Sequence, residues 1–186
     1  MRFRGVHHVE LSVPDYEESV QFYDRMFGWL GYKSFGTLGI GYVSTYYMAR
    51  FPLPHSYIGI QPAGRPGKLD YRAHAVGIHH IALWARSRKE VERFHDGFLI
   101  PEGVAITDRP AEYPIYAPGY FAVFFLDPNG IRWELAFTPR IPMPGDVLGD
   151  VLKSLREARR LRKEHPEWRH HPAKEMMRHL PSRKRP

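Results

Sequence analysis

Eight residues near the start of the chain, VHHVELSV at 6–13, return in altered form at 78–85 as IHHIALWA. Such self-similarity constrains the fold before anything else does, because each copy must form the same small unit. Both copies are a double histidine followed by alternating apolar residues, the period of a strand with one buried face. In the first copy Val9, Leu11 and Val13 share a face, leaving His8, Glu10 and Ser12 on the other. In the second, Ile81, Leu83 and Ala85 share a face, leaving His80, Ala82 and Trp84 opposite. His8 and His80 are therefore equivalent. His7 and His79 are expected on the opposite faces of regular strands; a bulge would reverse this.

A helix is predicted after each strand. Asp15 and Glu18 fit a capping box, Val20, Tyr23 and Phe27 recur at helical spacing, and Gly28 is a stop signal. In the second copy Ser87 and Glu90 are the capping pair, with Val91, Phe94 and Phe98 apolar and Gly97 near the end. Three short strands are expected after each helix, near 30–35, 40–48 and 56–61, then near 103–107, 119–126 and 131–137. The turn between the last two, Asp127-Pro128-Asn129-Gly130, is a strong hairpin signal. The expected organisation is a first unit at 1–61, a Gly- and Pro-rich linker at 62–77, a second unit at 78–138 and an extension at 139–186.

Composition removes several function classes. The 186 residues contain no cysteine, which excludes disulfides, thiolate metal sites and cysteine nucleophiles. No apolar run is long enough to span a membrane, and MRFRGVHHVE has no signal-peptide core, so a cytoplasmic protein is expected. The net charge of +7 lies wholly in residues 140–186, which hold 13 Lys/Arg against 6 Asp/Glu. Residues 1–139 balance at 14 against 14, so the body is not a basic nucleic-acid-binding domain.

The ordered set HHVELSVPDYEESVQFYDRMFGW, HHIALWA and AVFFLDPNGIRWELAF resembles the vicinal oxygen chelate superfamily, which includes glyoxalase I, extradiol dioxygenases, fosfomycin-resistance transferases, methylmalonyl-CoA epimerase and bleomycin-binding proteins. The resemblance covers residues 5–138. It implies an α+β fold: two βαβββ modules forming a cupped, half-open mixed sheet with helices outside, here followed by a C-terminal helix. It also implies a homodimer and one divalent metal ion, iron, manganese, nickel, cobalt or zinc, held by His8, His80 and Glu134. Two imidazoles and a carboxylate suit such an ion while leaving positions open for substrate or water.

The branches of the superfamily separate on a few positions. Glyoxalase I and the epimerase place a fourth ligand in the last strand of the first module, where this chain has Gly59; Gln61 is an alternative if the register slips. Extradiol dioxygenases resemble one another in a tyrosine three residues before the Asp-Pro turn, where this chain has Phe124. Fosfomycin-resistance transferases need basic residues around a phosphonate, and residues 111–119 have none. Tyr57, Trp84, Tyr120 and Phe124 are expected to wall a substrate pocket for a small oxygenated, aromatic or planar molecule. Glu10 is the candidate catalytic base, with a salt bridge to Arg132 as its structural alternative. Glu112, Tyr113 and Tyr116 lie in a proline-rich loop placed to close over the cup.

Residues 146–164 read as an amphipathic helix with Asp146 as cap and Leu148, Val151, Leu152, Leu155 and Ala158 as its stripe. Docking on the body or a partner subunit is expected rather than nucleic-acid binding, and residues 166–186 are expected to be disordered. The functional expectation is a metal-dependent lyase, isomerase or oxygenase; the alternative is a non-catalytic module that sequesters a drug or metabolite, as bleomycin-binding relatives do.

Overall fold

Alternation of apolar residues becomes strand only where the chain is also free of turn signals, and the glycines decide where that is. The computed structural model describes residues 6–139 apart from 40, 42, 50–55, 66, 68, 74–76, 114, 115 and 118, together with 152, 156, 159, 160, 163 and 164. The first module runs β1 (His8–Val13), α1 (Tyr16–Trp29), β2 (Lys33–Gly39), β3 (Val43–Met48) and β4 (Tyr57–Pro62). The second runs β5 (Ile81–Trp84), α2 (Arg88–Phe94), β6 (Ile106–Glu112), β7 (Phe121–Leu126) and β8 (Arg132–Phe137). A π-helical turn, His95–Leu99, extends α2. β2 and β6 begin about three residues later than the sequence suggests, because Gly31 and Gly103 take positive φ in the turns leaving the helices.

Both capping expectations hold. The Asp15 side chain accepts from the Glu18 N–H, and the Ser87 hydroxyl accepts from the Glu90 N–H. Each module forms one mixed sheet of the same topology, β1-β4-β3-β2 and β5-β8-β7-β6, parallel at β1/β4 and β5/β8 and antiparallel elsewhere. The cupped mixed sheet is thus built from two four-stranded halves. One face of each half meets the helices through Leu11, Val13, Ile58 and Ile60 in the first module and Val123, Phe125, Trp133 and Leu135 in the second, all in one core. The other face carries His8, Glu10, Tyr46 and Gly59, and in the second half His80, Ala82, Ala122, Phe124 and Glu134.

A buried polar network ties the modules together. Tyr23 of α1 donates to Asp127 Oδ2 (2.6 Å) in the Asp-Pro-Asn-Gly turn, and the Trp133 indole N–H donates back to the Tyr23 oxygen (3.2 Å). One turn earlier on α1, the Ser19 hydroxyl accepts from Asn129 Nδ2 (3.0 Å). Asp127 Oδ1 accepts from the backbone N–H groups of Asn129 and Ile131, so a single carboxylate shapes the turn and anchors the first module's helix. Gly130 is obligatory there: its φ is +83°, and a Cβ would lie 2.6 Å from the Leu69 carbonyl oxygen.

Among the described residues no helix is long and apolar enough to cross a membrane. The six described positions of the extension are helical and exposed; Asp146, Leu148, Val151, Leu155, Ala158 and residues 166–186 lie outside the described residues.

Tyr23→Phe removes the hydroxyl that links Asp127 to Trp133 and leaves a buried carboxylate short of a donor. The expected cost is about 1–3 kcal/mol of unfolding free energy, read by urea denaturation. An unchanged midpoint would show that the Tyr23–Asp127 hydrogen bond does not contribute to holding the modules together.

Candidate functional site

On the outer face of the second sheet, β5 and β8 run parallel with Ala82 beside Glu134. His80 lies two residues before Ala82 and so reaches the same face. Its Nε2 is 3.2 Å from Glu134 Oε2. The other carboxylate oxygen, Oε1, accepts from the Tyr120 hydroxyl (2.7 Å). Glu134 is only 3% exposed. Burial raises its pKa, partly offset by the Tyr120 hydrogen bond and the charge of Arg132. Burial also lowers the pKa of His80, and the nearby Arg132 lowers it further. Both effects favour the neutral form of His80.

Arg132 does not neutralise this carboxylate directly. Its Nη2 donates to Asp108 Oδ2 (2.6 Å), and its guanidinium lies 4.1 Å from the Phe124 ring centre and 5.1 Å from that of Tyr71. An imidazole nitrogen and a buried carboxylate oxygen face each other, two donor types that divalent cations accept. Two such donors at about 2.1 Å from one ion, at a right angle, stand about 3 Å apart. The chemistry and spacing of His80 and Glu134 fit two positions of a metal's ligand set.

The first sheet carries the matching constellation with one exchange. β1 and β4 run parallel with His8 beside Tyr57 and Glu10 beside Gly59, while Tyr46 of β3 also pairs with Gly59. Gly59 occupies the place that Glu134 holds in the second module. It has no room for a side chain: a Cβ there would lie 2.9 Å from Tyr46 Cε1 and 3.1 Å from Glu10 Cγ. Glu10 leans across from the neighbouring strand into that space and accepts from the Tyr46 hydroxyl (2.5 Å). Each sheet thus presents a histidine and a carboxylate held by a tyrosine. The salt bridge from Glu10 to Arg132 does not form, since both groups are engaged elsewhere. Gln61 donates to the Ser12 hydroxyl (3.0 Å) at the far end of β4.

The predicted site residues fall into two groups. His80 and Glu134 come together. His8 and Glu10 line a separate cavity of about 250 Å³ with His7, Leu38, Tyr46 and Tyr57. Among the described residues no three His, Asp or Glu side chains gather into one metal-binding group. The expected aromatic wall divides in the same way. Trp84 and Tyr120 line a cavity of about 410 Å³ with Tyr116 and a floor that includes Ala82 and Ala136. Phe124 is buried beneath, edge-on to His80 with ring centres 6.0 Å apart. Tyr57 belongs to the first cavity. Glu112 forms an ion pair with Arg88, and Tyr116 packs on Tyr113 and Tyr120. Pro114 and Pro118 of that loop lie outside the described residues.

His7 and His79 are not where regular strands would put them. The strands begin at His8 and Ile81, so each of the two precedes the regular backbone and turns toward its neighbour. His7 lines the same cavity as His8 and lies 5.3 Å from the Tyr57 ring. His7 Nδ1 stands 2.9 Å from His8 Nδ1, and His79 Nδ1 stands 2.7 Å from His80 Nδ1. The doubled histidine was visible in the sequence; its mutual contact was not. Tyr46 carried no sequence signal, since its role depends on the register that sets it beside Gly59.

Comparison with known proteins agrees with this architecture. A family model described as Glyoxalase/Bleomycin resistance protein/Dioxygenase superfamily matches residues 5–135. The uncharacterized protein YqjT of Bacillus subtilis (strain 168) is 30% identical over 131 residues, covering 70% of this chain and 96% of its own. The crystal structure of a glyoxylase/bleomycin resistance protein/dioxygenase domain from Frankia sp. EAN1pec is similar at TM-score 0.57 and 20% identity, covering 73% of this chain and 93% of that one. The fosfomycin resistance protein FosX of Listeria monocytogenes is similar at TM-score 0.53 and 15% identity, over 81% and 99% of the two chains. These two structures, at such identities, speak to the fold alone.

The raised pKa of Glu134 carries a sign that can be tested. Its folded value lies above its unfolded one, so the charged form is penalised at neutral pH and the penalty disappears as pH falls below the unfolded value. In metal-free protein Glu134→Gln should raise the melting temperature at pH 7 and lose that advantage near pH 4. A variant less stable than wild type at pH 7 would contradict the placement of Glu134.

Proposed function

We propose that this chain, which belongs to the Glyoxalase/Bleomycin resistance protein/Dioxygenase superfamily, is a metal-dependent enzyme of lyase, isomerase or oxygenase type acting on a small oxygenated molecule with an aromatic or planar body. The observation that carries this reading is the approach of His80 Nε2 to the buried Glu134 carboxylate. A buried carboxylate that faces a neutral imidazole is a poor device for stability and a good one for holding a divalent ion. His8 is the third ligand. Within one chain it is held in the other sheet's cavity, so we infer that it is supplied by a second copy in a homodimer, each copy lending its first sheet to the partner's second. Glu10 lies two residues from His8 on the same face and is delivered with it.

When bound, the ion supplies Lewis-acid charge to adjacent oxygens of a chelated substrate; iron, manganese, nickel, cobalt and zinc all suit the ligands. The chain's own residues do the rest. Tyr120 holds one oxygen of Glu134 so that the other faces His80. Phe124 backs the His80 ring. Trp84, half exposed above Ala82 and Ala136, and Tyr116 give a planar ligand two aromatic surfaces with a small-residue floor between them. Glu10, its position set by Tyr46, accepts a proton beside a chelated carbonyl.

Complementation tests both the metal and the shared site. His8→Ala and His80→Ala should each lose the ion, measured by metal analysis against the doubly substituted protein to subtract adventitious binding. Mixing the two under conditions that exchange subunits should restore about a quarter of wild-type occupancy, the share expected when half the dimers carry one intact site. No restoration would place the site within one chain; full occupancy in either single variant would end the metal reading. Ligand binding that survives metal stripping undiminished would instead favour sequestration without turnover.

A further inference from the structure

The proposed ligands use one face of each doubled histidine and leave the other member unexplained. Yet both copies show the same arrangement, Nδ1 against Nδ1, at 2.9 Å in the first module and 2.7 Å in the second. At that distance one nitrogen must donate and the other accept, because two lone pairs or two N–H groups would repel. A neutral imidazole carries a single proton, so the choice at Nδ1 fixes the state of Nε2 on both rings.

In the second module that choice has a consequence at Glu134. If His79 donates, His80 carries its proton on Nε2 and donates it to Glu134 Oε2, a satisfied hydrogen bond. If His80 donates, its Nε2 turns a lone pair toward a carboxylate oxygen 3.2 Å away, an arrangement that needs a cation or a proton between them. We propose that His79 is a positioning residue for the metal ligand His80, and that the pair exchanges tautomers on loading. Without metal, His79 Nδ1–H donates to His80 Nδ1. With metal, His80 Nδ1–H donates to His79 Nδ1, and His79 keeps its proton on Nε2. Each ring holds one proton in both states, so loading redistributes protons between ring nitrogens without changing the total on the two rings. His7 stands in the same relation to His8.

This rests on the proposed metal site and extends it: the pair keeps a metal-free resting state hydrogen-bonded while leaving His80 ready to ligate. It also accounts for a histidine at position 79 rather than a residue with only a donor or only an acceptor. Arg132 neighbours both groups of the site but bonds to Asp108, so it does not compete for the imidazole nitrogens.

Zinc, which is diamagnetic, is the probe. Long-range 15N–1H correlation spectra of the full chain, with His79 and His80 assigned by substitution, should show His80 protonated at Nε2 without zinc and at Nδ1 with it. By chelator competition, His79→Ala should weaken the His80-dependent zinc affinity by about 10- to 100-fold, as loss of an outer-shell partner does. His79→Gln, whose carbonyl can accept the Nδ1–H, should stay close to wild type. If His80→Ala binds zinc as well as wild type, the metal reading falls and takes this inference with it. If His80→Ala loses zinc but His79→Ala binds as wild type, or His80 already carries its proton on Nδ1 without zinc, this inference alone is overturned.

Discussion

The geometry of the candidate site depends on one buried carboxylate well away from it. Asp127 accepts from Tyr23, from the Asn129 side chain and from two backbone N–H groups, so it closes the β7–β8 turn and fastens it to α1 of the other module. That turn sets where β8 begins, and β8 carries Glu134 seven residues on. Burial raises the pKa of Asp127 while these bonds work in the opposite direction. Tyr23 and Trp133 are fully buried with it, so the polar lock sits within the aromatic core rather than at its rim. The faces that remain outside this core are the ones on which the histidines and carboxylates lie.

The two modules share a fold and a site plan but place the carboxylate differently. In the second it rises from β8; in the first it crosses from β1 over Gly59, braced by Tyr46. The glycine and the glutamate are complementary, since either one with the wrong side chain would collide. The exchange puts Glu10 next to His8 along one strand, whereas Glu134 reaches His80 across two. If the first sheet of one copy meets the second sheet of another, the assembled site receives two unlike halves, one tuned for holding an ion and the other bringing a proton acceptor with a ligand.

Much of the fold was legible in the sequence because repetition is legible. The paired motifs, the two capping pairs and the Asp-Pro-Asn-Gly turn located α1, α2 and the eight strands, although β6 runs five residues past its expected end and the short helix at Tyr71–Ala73 falls in the expected linker, and alternation assigned the faces of β1 and β5 correctly. The double histidine misled where strand regularity was assumed. His7 stands one residue before β1 and His79 two before β5, and each turns its Nδ1 toward that of its neighbour. The contents of the site were harder. His80 and Glu134 are 54 positions apart and meet only through the β5/β8 register, which family resemblance anticipated and composition did not. Tyr46 over Gly59, and the division of the aromatic wall between two cavities, follow from cross-strand neighbours that no local pattern encodes.

The central claim is that His80 and Glu134 hold a divalent ion between them. Anomalous diffraction from crystals of cobalt-loaded protein, recorded at the cobalt edge, tests it most directly. The account predicts a strong anomalous peak within about 2.2 Å of both His80 Nε2 and Glu134 Oε2, with His8 from a second copy beside it. Cobalt found only on the histidines of the C-terminal extension, with none between His80 and Glu134, would contradict it.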